Sequence, residues 1–281
     1  MAESAKWDWE ITSKTSWFVD VKELYFYKDL LISQTRKDFL GAYQQTLLGP
    51  LWVLIQPILT VSIFVVVFNN ILGVKTDGYP PVLFNLIGVT LWTLFSDVFI
   101  NTTRTFTQNA AVFSKVYFPR IIVALSALLL QLVLFGIQLL LLGSVFTYYI
   151  LTKQVAFHAD TLPLLFIAVI VTAGIAFGAG LIFSVLTAKY RDLASLTQLV
   201  IRLLMFVTPV FFTLAIVPKK VNWIVMINPL SSMFELFRSA FTGIYHGTLT
   251  GVAFSAIFMF VIVTIGTLLF NKMGDKLLDV L

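Results

Sequence analysis

The chain has 281 residues, of which 59% are hydrophobic and 12% charged, and its formal net charge is +5. Because soluble domains carry roughly 25% charged residues, this composition excludes an ordinary water-soluble protein. The sequence contains no cysteine, which excludes disulfides and thiolate metal sites. Its apolar residues fall in blocks of about 20 or more, the length of helix that crosses the core of a bilayer. We therefore expect an all-α integral membrane protein.

Residues 1–50 are predicted to form a cytoplasmic N-terminus with one amphipathic helix, at 21–40, that is too charged to span a membrane. On a helical wheel its two sides separate, one apolar with Leu24, Tyr27 and Leu31 and one charged with Arg36 and Lys37. Such a helix is expected to lie in the membrane interface with its aromatic side in the headgroup region. Its periodicity leaves open whether it is a lipid anchor or a docking surface for a partner.

Six transmembrane helices are predicted within residues 51–270, followed by a cytoplasmic tail at 271–281. The spans are 51–72, 82–100, 121–151, 162–188, 199–217 and 252–270. An even number of spans places both termini on one side of the membrane. With the termini in the cytoplasm, the inner segments carry 13 Lys and Arg residues and the outer segments 5. This asymmetry predicts cytoplasmic termini.

Prolines and small residues predict how the spans bend and pack. Pro57 in the first span and Pro209 in the fifth are each expected to kink their helix, since proline removes a backbone donor and clashes with the preceding turn. Gly174 and Gly178 in the fourth span form a small-residue surface that allows another helix to approach closely.

The segment between the second and third spans, 101–120, is longer than a tight turn requires. It predicts a short helix around 105–115 with exposed Phe106 and Phe113. Exposed apolar surface on a polar segment often marks a protein contact. The alternative is that the segment folds back on its own bundle.

The segment 218–251 alternates short apolar stretches with helix breakers, so neither half is long enough to span. Two short helices that dip into the outer leaflet, a re-entrant hairpin between spans five and six, fit this length and polarity. Glu235 and Arg238 are three residues apart and can form an ion pair. From the residues alone we interpret this pair as an ordinary surface ion pair.

The sequence lacks the motifs of several function classes. No phosphate-binding loop of the form G-x-x-x-x-G-K-[ST] occurs, so any ATP must be handled by another subunit. His158 and His246 have no second metal ligand at helical spacing, and no metal site is expected. Asp97 and Arg202 are the only ionisable residues in the predicted spans, which argues against an ion-coupled carrier or a membrane-embedded transferase.

Aromatic residues, by contrast, are abundant in two spans. They are Trp52, Phe64 and Phe68 in the first and Phe206, Phe211 and Phe212 in the fifth. Aromatic faces are suited to stacking on sugar rings while leaving them free to slide. Packing against lipid or other helices is the alternative for each of them.

Several short motifs resemble one family. The run Tyr27-Lys28-Asp29-Leu30-Leu31 is followed by Arg36, Tyr43, Thr46, Leu48-Gly49-Pro50, Trp52 and Gln56-Pro57. Further matches are Lys115 with Phe118-Pro119-Arg120, Arg191-Asp192, and Asn228-Pro229 with Glu235 and Arg238. From about Leu24 to Leu281 the chain resembles the membrane subunits of type-2 ATP-binding-cassette exporters, specifically those for O-antigen and teichoic-acid polysaccharides. Lys28, where Arg is more usual, and the spacing of Lys37-Asp38 after Arg36 are small departures.

The resemblance implies an assembly in the bacterial cytoplasmic (inner) membrane. Two copies of this chain would join two copies of a nucleotide-binding ATPase subunit, which binds ATP and Mg²⁺; the other partners would be membrane lipids, and no nucleic acid. The helix at 21–40 would contact the ATPase at the membrane surface. The helix at 105–115, with Phe106, Phe113, Lys115 and Arg120, would be the coupling helix seated in it.

The resemblance also implies a path for an undecaprenyl-diphosphate-linked polysaccharide. The first and fifth spans of both copies would enclose the channel, and Arg36, Lys37 and Arg202 would attract the pyrophosphate at its inner rim. The outer gate would contain Asn228, Pro229, Glu235 and Arg238. Two alternatives stay open: a type-2 exporter of teichoic acid, drugs or small lipids, and a non-transporting membrane protein of envelope assembly.

Overall fold

All the regular secondary structure in the described part of the chain is helical. The computed structural model describes residues 21–113, 118–190, 192–218, 220 and 222–278, and no strand occurs among them. The helices are α1 (Val21–Phe26), α2 (Lys28–Tyr43), α3 (Trp52–Phe64), α4 (Pro81–Thr103), α5 (Thr105–Phe113), α6 (Ile121–Leu151), α7 (Leu162–Lys189), α8 (Leu193–Val207), α9 (Asn222–Ile227), α10 (Pro229–Thr242) and α11 (Leu249–Leu278). A π-helical segment, Val65–Ile71, extends α3.

Five helical segments of the described chain are long and apolar enough to cross a membrane. They are Gly49–Ile71, Pro81–Thr103, Ile121–Leu151, Ala159–Lys189 and Leu249–Met273. Each agrees with a predicted span to within three residues at both ends. The prediction of an all-α integral membrane protein is thereby confirmed. The helix of the last span continues to Leu278, so the predicted tail at 271–281 begins as helix; residues 279–281 lie outside the described chain.

The predicted fifth span, 199–217, differs in the structure. Its helix, α8, begins earlier and ends at Val207 after 15 residues. Thr208 is extended (φ −85°, ψ 141°), because a residue before proline is disfavoured in the α region. Pro209 therefore ends the helix instead of kinking it, and the prediction of a continuous fifth span is wrong. Pro57, in contrast, lies inside α3.

The bundle is organised around α4 and α7. In α4, 78% of the most apolar stretch is buried, against 17% in the first span. On α7, a Cβ at Gly180 would lie 2.6 Å from Thr102 of α4, and one at Gly178 would lie 2.7 Å from the backbone nitrogen of Val263 on α11. The predicted small-residue surface is confirmed, and it lets two helices approach α7 from different sides.

The close approach at Gly178 predicts a selective effect of alanine. Gly178→Ala forces α7 and α11 apart, and such overpacking costs roughly 1–3 kcal/mol. We expect a lower apparent Tm for the purified protein in detergent. Gly136→Ala is the matched control, because no atom lies within 4 Å of a Cβ there. It should leave the Tm unchanged or raise it slightly, since alanine favours helix over glycine by up to about 1 kcal/mol. Equal losses in both variants would contradict this account of the packing.

Candidate functional site

The predicted amphipathic helix is present, but it is broken at Tyr27 into α1 and α2. Helix α2 lies against α6, and the Thr35 hydroxyl donates to the Leu31 carbonyl at 2.8 Å and lies 3.5 Å from the Ser126 carbonyl of α6. Leu24, Tyr27 and Leu31 are half-buried, whereas Tyr25 is 72% exposed. The apolar side therefore partly contacts the bundle, and the location of its remainder in the headgroup region stays a prediction.

A cleft of about 950 Å³ opens beside α2, at the end of the bundle that carries α5. One face of α2 forms its first wall, with Ser33, Arg36, Lys37, Leu40, Gly41 and Gln44. These positions recur at helical spacing, so they share one side of the helix. The facing walls come from Asn101 of α4, Thr105, Gln108 and Asn109 of α5, and Val123, Ala127, Leu130 and Gln131 of α6. Three separate parts of the chain thus build one polar cleft.

The charge of the cleft is set by α2. Arg36 and Lys37 are exposed and line it, and Asp38 lines it as well. Both carboxylate oxygens of Asp38 accept from the Gln34 amide nitrogen, at 3.0 and 3.2 Å. Burial raises the pKa of the Asp38 carboxyl, while the Gln34 hydrogen bond and the charge of Lys37 act to lower it. The two cations therefore outweigh one acid that is already bonded to its own helix.

The structure brings together two of the three basic residues predicted for the inner rim. Arg36 and Lys37 line the cleft, whereas Arg202 lies exposed on α8 and is not part of its lining. Tyr43, at the end of α2, is partly buried, and burial followed by the charge of Asp97 raises its pKa. The end of α2 therefore lies within electrostatic range of Asp97 on α4.

The predicted helix between the second and third spans is present as α5, but its two aromatic side chains are buried. Phe106 is 0% exposed and Phe113 7%. The Phe106 ring stacks on Phe270 of α11 at 4.5 Å, and Phe113 lies 5.9 Å from Phe118. The prediction that Phe106 and Phe113 are exposed is wrong. Burying each ring against the bundle stabilises the folded protein by about 1.5–3 kcal/mol, which favours the inward position.

The accessible side of α5 is polar instead. Thr107 and Gln108 are exposed, and Arg120, at the start of α6, is half-buried. Lys115, which was also predicted to contact a partner, lies outside the described residues. A partner that reaches α5 on this side would meet hydroxyl and amide groups rather than phenyl rings.

The predicted channel aromatics separate into two groups. Phe211 is 3% exposed, and its ring centroid lies 4.1 Å from Phe64 and 5.1 Å from Phe68. These three rings join the first span to the coil after α8, so the prediction that Phe211 lines a channel is wrong for this packing. Trp52 is 49% and Phe206 59% exposed, while Phe212 is half-buried. Trp52 and Phe206 are therefore still available to line a channel.

The coil after α8 is held by one arginine of α10. Arg238 Nη2 donates to the Pro209 carbonyl at 2.8 Å, and its Nη1 donates to the Phe212 carbonyl at 3.3 Å and to Glu235 Oε1 at 3.0 Å. The same carboxylate oxygen accepts from the backbone N–H of Leu214 at 2.8 Å. The ion pair thus supplies hydrogen-bond partners to backbone groups that lose their helical partners where α8 ends at Pro209.

This ion pair is buried, with Glu235 0% and Arg238 3% exposed. The guanidinium carbon lies 4.2 Å from the centre of the Phe84 ring of α4, a cation–π contact. Our interpretation of the pair as an ordinary surface ion pair is therefore wrong. Sequence spacing identified the two partners, but the same spacing fits an exposed or a buried pair. Phe84 was not predicted, and its position in an apolar run gave no signal.

Asn228 and Pro229, also predicted for the outer gate, start α10 beside this pair. Asn228 Oδ1 accepts from the Leu230 N–H at 3.0 Å as an N-cap, and its amide nitrogen donates to the Thr208 hydroxyl at 2.9 Å. Pro229 occupies the first helical position, where it is favoured. A Cβ at Gly88 of α4 would collide with the Val210 carbonyl oxygen. We call Phe84, Asn228, Glu235, Arg238 and the coil 208–213 the Arg238 cluster.

Apolar spanning helices, a cation-bearing cleft at one end and the Arg238 cluster at the other define a multi-pass membrane protein of the transporter type. The model of the ABC-2 type transporter family matches residues 30–242. The chain belongs to this family. The family resemblance of the sequence motifs is confirmed at this level.

Three relatives are similar to the chain over most of its length. Two O-antigen export system permease proteins, RfbA, of Klebsiella pneumoniae are 28% identical over 255 and 258 residues, which cover 90% of this chain and 95% of each relative. The protein of the same name from Myxococcus xanthus is 23% identical over 226 residues, 79% of this chain and 83% of its own. The family match over residues 30–242 includes both the cleft and the Arg238 cluster.

The Arg238 cluster predicts a large loss of stability on Arg238→Leu. This change leaves Glu235 as an uncompensated buried charge, and breaking a buried pair costs about 3–5 kcal/mol. We expect a clearly lower denaturant midpoint for the protein in detergent micelles. The denaturant midpoint of Arg238→Lys should fall between those of the wild type and Arg238→Leu, because an ammonium group cannot make the forked set of hydrogen bonds that a guanidinium makes.

The control is His246→Asn. His246 Nε2 lies 3.4 Å from Asp77 Oδ2, with side chains 32% and 26% exposed. An exposed pair is worth about 0–1 kcal/mol, so this variant should unfold close to the wild type. Equal midpoints for Arg238→Leu and His246→Asn would contradict the capping role of Arg238.

Proposed function

We propose that the chain is the membrane-spanning subunit of an ATP-driven exporter that moves undecaprenyl-diphosphate-linked polysaccharide, O-antigen or a related glycan, across the bacterial cytoplasmic membrane. The observation that carries the proposal is the family match over residues 30–242 together with relatives that bear the name of O-antigen export permeases. The five apolar spans and the polar cleft support it, since a glycan exporter needs a membrane path and a docking region for a charged head group.

ATP hydrolysis is assigned to a separate subunit. The sequence has no phosphate-binding loop, so an ATPase subunit would bind ATP and Mg²⁺. The resemblance to type-2 exporters implies that two copies of it would join two copies of this chain. The exposed polar side of α5, with Thr107 and Gln108, and the exposed side of α2 form the proposed contact surface. Phe106 and Phe113 are not part of it, because they are occupied within the bundle.

The proposed path for the glycan lies between two copies of the chain. Trp52 and Phe206, on the first span and on α8, are exposed in one copy and offer aromatic faces for weak, repeated stacking. Arg36, Lys37 and Arg202 supply positive charge at the proposed cytoplasmic side for the pyrophosphate. The Arg238 cluster is the proposed outer gate.

The function is tested by complementation. In cells that make the lipid-linked glycan but lack its permease, expression of this chain with its ATPase subunit should restore surface glycan. The chain alone, purified in detergent, should hydrolyse no ATP, and hydrolysis should appear when the ATPase subunit is added. Surface glycan is measured by immunoblotting of intact cells, normalised to the amount of assembled complex. Robust hydrolysis by the chain alone, or no surface glycan from a fully assembled complex, would end this proposal.

The orientation is tested by cysteine labelling, which is direct because the chain has no native cysteine. A thiol at exposed Lys28 should react with a membrane-impermeant maleimide only after the cells are permeabilised. A thiol at exposed Lys75 should react in intact cells. The 13-to-5 distribution of Lys and Arg is the reason for this expectation. The opposite labelling pattern would reverse the sides assigned to the cleft and to the gate.

A further inference from the structure

One amide that lines the cleft makes no hydrogen bond to the protein. Gln131 of α6 is 7% exposed and lines the cleft, yet within the described residues no hydrogen bond is made by its side chain. Its donors and its acceptor therefore remain available to a group that enters the cleft.

Two further amides of the cleft are held by their nitrogen atoms, and among the described residues nothing donates to their oxygen atoms. The Asn101 amide nitrogen donates to the Asp97 carbonyl at 2.8 Å, and the Asn109 amide nitrogen donates to the Thr105 carbonyl at 3.0 Å. Their carbonyl oxygens are therefore left to accept. Acceptors in fixed positions, together with the complete amide of Gln131, match a ligand with several hydroxyl groups.

The remaining lining adds two other properties. Arg36 and Lys37 stand on α2, where they can bind a phosphate. Val123, Ala127 and Leu130 form an apolar wall on α6, which suits the C–H face of a sugar ring or the start of a lipid chain. A volume of about 950 Å³ is in the range of sites for small organic ligands.

We propose that this cleft binds the diphosphate and the first sugar of the lipid-linked glycan, and that Gln131 recognises hydroxyl groups of that sugar. The inference rests on the proposed function and adds to it a recognition residue. Arg36 and Lys37 bind the diphosphate, which all glycans linked to undecaprenyl diphosphate share. Gln131, deeper on α6, contacts the part that differs between glycans. Asp38 is also part of the lining, but it is bonded to Gln34 and does not compete with the phosphate for Arg36 and Lys37.

The chain offers a matched control for Gln131. Gln138 lies seven residues further along α6, on the same side of the helix, and is 6% exposed. Its Oε1 also has no partner among the described residues, but Gln138 does not line the cleft. Gln131→Leu and Gln138→Leu therefore each remove an amide from one helix at residues of similar exposure, and only the first removes a group from the cleft.

The test is direct binding to the assembled complex with its ATPase subunit in nanodiscs. The probes are radiolabelled lipid-linked glycan from the producing cells and undecaprenyl diphosphate without sugar. Gln131→Leu should raise the Kd for the glycan roughly tenfold, the loss of about one to two hydrogen bonds, and leave the Kd for undecaprenyl diphosphate unchanged. Gln138→Leu should change neither. The double variant Arg36→Gln, Lys37→Gln should weaken both probes.

Three results would overturn the inference. The first is an unchanged Kd of Gln131→Leu for the glycan, and the second is an equal loss in Gln131→Leu and Gln138→Leu. The third is displacement of both probes by excess phosphatidylglycerol, which would make the cleft a general phospholipid headgroup site. Each leaves the proposed function intact if the wild-type complex still displays glycan on cells. Failure of display by the wild-type complex is the separate result that removes the proposed function.

Discussion

One end of the bundle depends on hydrogen bonds to the backbone carbonyls of the coil that begins at Pro209. A helix that stops inside a protein leaves carbonyl groups without partners, and buried carbonyls must be bonded. Arg238 reaches three of them, at Pro209, Val210 and Phe212. Because its charge is buried in doing so, Glu235 must lie beside it. Removing the proline, the arginine or the acid would therefore disturb the same structure.

This constraint also determines which aromatic side chains are available for a channel. With the coil fixed by Arg238, Val210 lies against Gly88 of α4, and Phe211 points into the protomer between Phe64 and Phe68. Phe211, which follows the proline, is thus used for packing. Phe206, before it on α8, stays exposed. A change in the coil would expose rings that are now buried, so the position of α10 and the packing of the first span are physically linked.

Hydropathy predicted the spans well because an apolar run of sufficient length has few other structures available in a membrane. It failed for the fifth span because apolar residues continue past Pro209, and composition does not show where helical bonding stops. The local preference of Thr208 for extended backbone before a proline was the available signal. Phe106 was misplaced for a different reason: its partner, Phe270, is distant in the sequence. No local pattern distinguishes a ring that contacts another subunit from one that contacts a remote helix. Phe113 packs beside Phe106 and is buried with it. Gln131 gave no signal in the sequence because it carries no charge, and it is ionisable residues that mark functional positions within spans.

The two ends of α4 show opposite uses of polar groups in a membrane protein. At the α10 end, the terminal nitrogens of Arg238 are occupied by carbonyls and a carboxylate, so a passing sugar cannot bond to them without breaking the fold. At the α5 end, Gln131 and the amide oxygens of Asn101 and Asn109 are free within the described structure, so a ligand can bond to them without breaking anything. Bonding groups that the protein leaves open in this way add nothing to the stability of the fold. The Arg238 cluster, the first-span rings and the α4–α7 contact stabilise the rest of the bundle. The open polar groups and the rigid cluster are therefore separated along one helix.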